Sequence, residues 1–355
     1  MEKRFDPWGS DMSNYESAFE EFGLSKFENR LKLNHYFFDR NIIIAHRDFD
    51  KVLERIKAKK PFIQLTGIAT SGRMHLGHKA VLDLFVFFSK FKNSRNYFAL
   101  SDIDAYCSRE KIKTMQEAKK YAVDNLAHIL ALGIPLKSIY AQSRKEPRYF
   151  EFTFELSKKI TKNMFDAVYG HVDLGKIQAS LLQYADILHP QLKEYEGKMP
   201  SLTGIGLDQD PHAKLTRDLA RKFNLELPSF IYLLHQSGLQ QGTKMSSSRP
   251  ETAIYLDDSG EEIKKRVMRA FTGGLPSADE QRRKGGNPDI CKVHEMLKFH
   301  HPGTKFVREI YDRCRNGNIL CGECKQVCND FISDMLKRHQ EKVKKTRKIA
   351  EKFYK

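Results

Sequence analysis

The regular pattern of apolar and polar positions begins at Pro61. Residues 62–65, Phe-Ile-Gln-Leu, predict a strand stopped by Thr66 and Gly67. From about Gly77 an apolar-rich stretch predicts a helix through Phe88, and residues 97–100 predict the next strand. Between Gln116 and Leu132, Ala118, Tyr121, Ala122, Leu126, Ile129 and Leu130 recur at helical spacing, and Gly133-Ile134-Pro135 ends that helix. A third strand is predicted at 138–142, a further one at 201–205, and a helix over 212–223. Strands and helices alternating at this rhythm predict an α/β fold with a doubly wound parallel sheet.

The pattern changes after Ser248. From Asp257 onward the chain reads as mainly helical and strongly charged, interrupted by Gly273-Gly274 and Gly285-Gly286. Three segments follow: an N-terminal extension over 1–60, the α/β domain with an inserted connective segment over 61–248, and a helical C-terminal domain over 249–355. The extension holds the only tryptophan, Trp8, in Asp6-Pro7-Trp8-Gly9, and a short apolar run at 42–44. No internal repeat is visible.

Composition adds a partner. The 355 residues are 40% hydrophobic, enough for a substantial core, and 61 Lys and Arg against 45 Asp and Glu give a net charge of +16. That excess favours a polyanion such as nucleic acid. Residues 331–355 carry nine Lys or Arg against three acids, a run that ordinarily forms a solvated helix face and also suits a phosphate backbone. No apolar run exceeds five residues, as at 84–88, so no membrane span is expected. Glu2, Lys3, Arg4 and Asp6 leave no place for a secretory leader, and a cytoplasmic protein is expected. Six cysteines there read as thiols or metal ligands rather than disulfides.

Three short segments carry chemistry. His75-Leu76-Gly77-His78 stands after a strand and turn, at the mouth of a helix. Its imidazoles can donate to phosphate oxygens, Gly77 leaves room for a purine ring, and the helix N-terminus adds amide donors. Lys244-Met245-Ser246-Ser247-Ser248 follows Gly238 and Gly242, and one ammonium with three hydroxyls on a loop suits a departing pyrophosphate. Either segment alone also reads as a surface loop; their order and their spacing of about 170 residues around a parallel sheet give them weight. The third runs from Gly206 through Asp208 and Gln209 to Asp210-Pro211-His212. A carboxylate there accepts from both hydroxyls of a ribose, while Asp210 reads as a cap on the following helix.

The ordered pair resembles the signatures of class I aminoacyl-tRNA synthetases, with Leu76 in a variable place and Ser247 where many members carry a second lysine. The Gly206-x-Asp208-Gln209 segment is similar to that of the tryptophanyl group, in its archaeal-like form. The resemblance covers roughly residues 61–355. It implies a Rossmann-like catalytic domain followed by an anticodon-binding helical domain. It implies catalysis by His75, His78 and Lys244, and ATP contacts from these and from Gly77, Gly206, Asp208, Met245, Ser246 and Ser247. Gly206 and Asp208 then hold the ribose, and Gln209 one end of the amino acid. The substrates implied are L-tryptophan, tRNA(Trp) and ATP with Mg²⁺, and the assembly a homodimer.

The amino acid is the closest choice. Gln183 and Asp186, three apart in a predicted helix, share one face. They resemble the specificity helix of the tyrosyl and tryptophanyl enzymes, with Gln183 holding the substrate backbone and Asp186 accepting from a phenol or an indole N–H. Leu65 stands where archaeal-type tyrosyl enzymes usually have tyrosine, and suits a larger apolar ring. The tyrosine, glutamine and glutamate of the eukaryotic tryptophanyl pocket fall at Leu65, Ala99 and Asp104. The first two are lost here, so Asp186 is expected to read the indole. Tryptophan is expected; tyrosine–tRNA ligation, or a non-catalytic nucleic-acid-binding paralogue, are the alternatives.

Cys291, Cys314, Cys321 and Cys324 are separated by 22, 6 and 2 residues. A Cys-x2-Cys pair with two outlying thiols suits one tetrahedral metal or a four-iron cluster. The spacing resembles the motif of a subset of tryptophanyl enzymes, which implies a [4Fe–4S] cluster, with zinc as the alternative. Cys328 lies outside the motif, and Cys107 reads as a small core residue.

Overall fold

A computed structural model describes residues 23–28, 33–170, 172–243, 245 and 249–355. Seven strands form one mixed sheet: β1 (Ser25–Lys26), β2 (Ile43–Arg47), β3 (Phe62–Ala69), β4 (Ser94–Ser101), β5 (Ile139–Ala141), β6 (Ser201–Gly206) and β7 (Ser229–Leu233). Their order is β1-β2-β7-β6-β3-β4-β5. The five from β7 to β5 run parallel, and β2 and β1 add an antiparallel edge. From β3 the chain winds outward through β4 and β5, then returns to the other side of β3 with β6 and β7. The crevice beyond the carboxyl ends of β3 and β6 is therefore the switch point at which such sheets bind ligands.

Seven of the helices place the site: α1 (Leu76–Ser89), α2 (Asp102–Ser108), α3 (Met115–Ala131), α4 (Leu174–Leu188), α5 (Asp210–Lys222), α6 (Lys292–His300) and α7 (Cys321–Tyr354). The start of α3 is a capping box, with the Glu117 N–H donating to the Thr114 hydroxyl at 3.1 Å. Strand β3 runs on past Thr66 and Gly67, which were expected to stop it. The two residues pair with Phe98 and Ala99, and a Cβ at Gly67 would stand 2.9 Å from that of Ala99, so two small residues let the strands close. One face of the sheet buries Leu82, Phe85, Phe98 and Leu100; the other buries Leu65, Tyr149, Tyr184 and Leu188.

The helical region after residue 257 is fastened to the sheet domain by polar contacts. Arg40 donates to the carbonyls of Lys298, at 2.8 Å, and His301, at 2.7 Å, closing the C-terminal end of α6. The 34-residue α7 lies along α3, where the buried rings of His128 and His339 approach to 2.8 Å and the Thr346 hydroxyl donates to the Ala127 carbonyl at 2.7 Å.

Candidate active site

His75 takes an extended backbone just before α1, and its N–H donates to Nδ1 of His78 at 3.2 Å. That bond makes Nδ1 the acceptor, so a neutral His78 carries its proton on Nε2. The two rings stack with centroids 3.8 Å apart. The segment is sewn to the chain downstream of the second motif: Leu76 N–H donates to Ile254 O at 3.0 Å, and Leu256 N–H to Met74 O at 2.9 Å. Met245 is buried in the same cluster as Met74, Leu76 and Tyr255. A Cβ at Gly77 would lie 3.1 Å from the His75 ring and 3.8 Å from the Met245 Cβ. The two motifs therefore meet at the N-terminus of α1. Lys244, Ser246, Ser247 and Ser248 lie outside the described residues, as does Trp8.

At the carboxyl end of β6, Gly206 leads into a single 3₁₀ turn, Leu207–Gln209. Asp208 is buried, 2.6 Å from Nε2 of His235, and Gln209 donates its amide to the other carboxylate oxygen at 3.2 Å. A Cβ on Gly206 would overlap the His235 ring. Asp210 does not cap the helix that follows. Its fully buried carboxylate receives Arg47 Nε and Nη2, each at 3.0 Å, and the Tyr232 hydroxyl at 2.5 Å. His235 was not singled out from the sequence. Its only signal there is its place directly after the apolar run at the end of β7.

The amino-acid side is built from β3, β5 and α4. Leu65 is buried on β3 between Tyr97 of β4 and Thr203 of β6, in one cluster with Leu182 and Ala185 of α4. Gln183 is half-buried and Asp186 buried. Asp186 accepts from the Tyr140 hydroxyl at 2.8 Å, the Tyr149 hydroxyl at 2.7 Å and the Gln142 amide at 2.8 Å. A carboxylate offers about four lone-pair sites, so Asp186 keeps one acceptor position beyond its protein partners. Burial raises its pKa to about 6, against which its three donors pull down. Ala99 is buried on β4, and the Asp104 carboxyl, which accepts from Ser108 at 2.8 Å, is raised by burial. Tyr140, Gln142 and Tyr149 were absent from the sequence-based site because β5, a turn and a separate helix supply them.

Cys291, Cys314, Cys321 and Cys324 line one small cavity with Gly273, Gly274 and Gln281. The Cys314 thiol is pushed up to about 11 and that of Cys324 to about 12, first by burial and then by the neighbouring thiols. A Cβ at Gly274 would overlap the Cys321 sulfur, and one at Gly286 would stand 3.0 Å from that of Cys314. Two glycines thus keep the space beside the sulfurs open. Among the described residues, no three His, Cys, Asp or Glu side chains close to the spacing of a single ion.

Residues 57–337 match the family described as tRNA synthetases class I (W and Y). The chain belongs to this family. The tryptophan–tRNA ligase of Aeropyrum pernix is 38% identical over 98% of this chain and 97% of its own length. That of Methanocaldococcus jannaschii is 36% identical over 98% and 97%. The crystal structure of the Aeropyrum pernix tryptophanyl-tRNA synthetase superimposes with a TM-score of 0.90, covering 98% of both chains. A tryptophan-bound synthetase from Encephalitozoon cuniculi gives 0.85 at 26% identity, covering 97% of this chain and 98% of its own. The class I likeness thus extends through the helical region and into the described N-terminal strands. No helix among the described residues is long and apolar enough to cross a membrane.

Proposed function

We propose that the chain is a tryptophan–tRNA ligase, activating L-tryptophan with ATP and passing it to tRNA(Trp). The observation that carries this is the meeting of three segments at the sheet's switch point: the His75–His78 mouth of α1, the Met245 loop, and the Gly206–Gln209 turn beside β3. Tryptophan carboxylate attacks the ATP α-phosphate in line, pyrophosphate leaves, and a terminal ribose hydroxyl of tRNA then takes the acyl group. No covalent enzyme intermediate is needed, so catalysis is positioning and charge stabilisation. His75, His78 and Lys244 donate to the phosphates with Ser246 and Ser247, and Mg²⁺ arrives with ATP. Asp208, held by the His235 ring that packs against Gly206, accepts from the ribose. Gln183 and Gln209 hold the amino and carboxylate ends of tryptophan, Leu65 supplies an apolar wall, and the last acceptor position of Asp186 takes the indole N–H.

The four cysteines suit a [4Fe–4S] cluster, with one thiolate per iron. The four thiols line one cavity, and one zinc is the alternative occupant. Held by Cys291, Cys314, Cys321 and Cys324, such a cluster would cross-link the helical region. The likeness to the tyrosyl and tryptophanyl enzymes supports a homodimer. The translation chemistry of the relatives supports a cytoplasmic site of action.

Amino-acid-dependent ATP–pyrophosphate exchange, run separately with tryptophan, tyrosine and phenylalanine, tests the reading. Exchange with tryptophan alone is expected. Exchange with tyrosine in its place would overturn the pocket assignment, and none with any of them would favour a non-catalytic nucleic-acid-binding protein.

A further inference from the structure

We propose that the last turn of α7 positions the tryptophan pocket, with Tyr354 and Phe353 clamping the 3₁₀ turn Gln142–Arg144 that holds Asp186. This rests on the reading that Asp186 lines that pocket.

Each residue of the turn has a different attachment. Gln142 faces the pocket: its amide donates to Asp186 at 2.8 Å, while its carbonyl oxygen accepts the Asp104 N–H at 3.0 Å. Ser143 is held by Asp102, to which it donates both its N–H, at 3.0 Å, and its hydroxyl, at 2.5 Å. Arg144 turns the other way. Its guanidinium donates to the Phe353 carbonyl and stands 5.8 Å from the centre of that residue's ring. Tyr354 completes the clamp by donating its hydroxyl to Oδ2 of Asp102, the oxygen that the Ser143 hydroxyl uses, at 3.4 Å. Burial first, and then Asp102, raise the Tyr354 phenol, so it remains a donor at any ordinary pH.

The Asp102 carboxylate, fully buried at the start of α2, thus joins the last turn of α7 to the turn that carries Gln142. A turn of three residues has few bonds of its own, and two of its three side chains are anchored directly or indirectly to residues 353 and 354. Loosening those anchors leaves Gln142 free to drift, and a drift of a fraction of an ångström weakens a 2.8 Å bond. Tyr140 enters the turn from β5 and feels the same slack. The effect falls on the acceptor that reads the amino acid and not on the ATP side, which is built from β6, β7 and α1. The clamp and the four-cysteine cavity are the two ends of one rod about 50 Å long at the standard helical rise.

The test is tryptophan-dependent exchange by Tyr354→Phe, by a chain lacking residues 353–355, and by Asp186→Asn, with KM for tryptophan and for ATP taken separately. Tyr354→Phe keeps the ring and its packing, so melting temperature should hold while KM for tryptophan rises about three- to tenfold, less than the loss of a whole hydrogen bond to a charged group because Tyr354 acts through Asp102 and the turn. KM for ATP should stay within twofold. The shortened chain should show a larger rise of the same kind. If Asp186→Asn raises KM for tryptophan but both C-terminal variants leave it within twofold, the clamp is refuted and the pocket stands. If Asp186→Asn itself leaves that KM unchanged, the pocket reading fails, and the clamp with it.

Discussion

His235 places Nε2 2.6 Å from Oδ1 of Asp208, in the space that the missing side chain of Gly206 leaves open. The three residues come from β6, the turn after it and the loop after β7, and they orient one carboxylate toward the crevice. Gly206→Ala should therefore damage ATP use without touching the amino-acid side, because the added methyl displaces the imidazole that steadies Asp208. His235→Ala should raise KM for ATP about tenfold or more, given the typical worth of a hydrogen bond to a charged group, with KM for tryptophan near its original value. Equal rises in both would show that His235 supports the fold and not the ribose site.

Arg47 and Asp210 form the other paired carboxylate of this region, and its role is structural. Asp210 is fully buried and takes both Arg47 nitrogens at 3.0 Å, with Tyr232 on the same oxygen as Nε. Removing Arg47 leaves the buried charge to Lys214, 3.4 Å away, and the Tyr232 hydroxyl, so Arg47→Ala should cost the lower end of about 3–5 kcal/mol in urea unfolding. Replacing both partners with apolar groups should cost much less. A single substitution worth under about 1 kcal/mol would place Asp210 in contact with water.

These two carboxylates show how far the sequence could be read. Asp208 and Asp210 stand two apart in one motif, and the sequence assigned a ribose to the first and a helix cap to the second. The cap was wrong because Arg47, 163 residues earlier, reaches across from β2, and no local pattern announces such a pairing. The alternating core of the sheet was readable because periodicity is a local property, and the phosphate motifs because their order is linear. The donors around Asp186 were not, since Tyr140, Gln142 and Tyr149 converge only once β5 and α4 pack. The same holds for His235.

Three histidines set an acid limit on stability. His189, His212 and His339 are each lowered to about 3, with burial the first cause in every case. The unfolded chain protonates them near 6.5 and the native protein does not, so between about pH 3 and 6.5 unfolding takes up protons. Their stabilising contribution is complete above 6.5 and is lost as pH falls. Asp186, raised to about 6, works in the opposite sense over part of the same window, since the native state binds its proton first. His35, lowered to about 4, and His300, lowered well below its ordinary value, both first by burial, add to the imidazole side, so the net effect is a loss of stability as pH falls below 6.5. Urea midpoints should therefore drop steeply from pH 6.5 to 4.5; a flat profile would mean that these imidazoles are solvated.

Lys244 should separate chemistry from binding. It adjoins Met245, whose buried side chain pins the loop against Gly77 at the mouth of α1. On the proposed reading, its ammonium acts on pyrophosphate as it departs and not on the indole. Lys244→Ala should slow adenylate formation about a hundredfold or more, the scale for loss of one donor to developing negative charge. Tryptophan affinity, measured by fluorescence titration, should change less than threefold. Comparable losses in both would contradict the role.

Cys324 and Cys328 provide an internal comparison for the cysteine cavity. Both are buried and both thiols are raised by burial, yet only Cys324 lines the cavity with Cys291, Cys314 and Cys321. A bound cluster must first displace protons from thiols held at about 11, for Cys314, and about 12, for Cys324, so loading should weaken as pH falls. Protein purified without oxygen should carry about four irons per chain, one for each thiolate of a [4Fe–4S] centre. Cys324→Ser should lose that iron and much of the thermal stability of the helical region. Cys328→Ser should keep the iron, because its side chain is not among those that line the shared space. One zinc per chain in place of iron, or equal iron loss in the two variants, would overturn the cluster assignment.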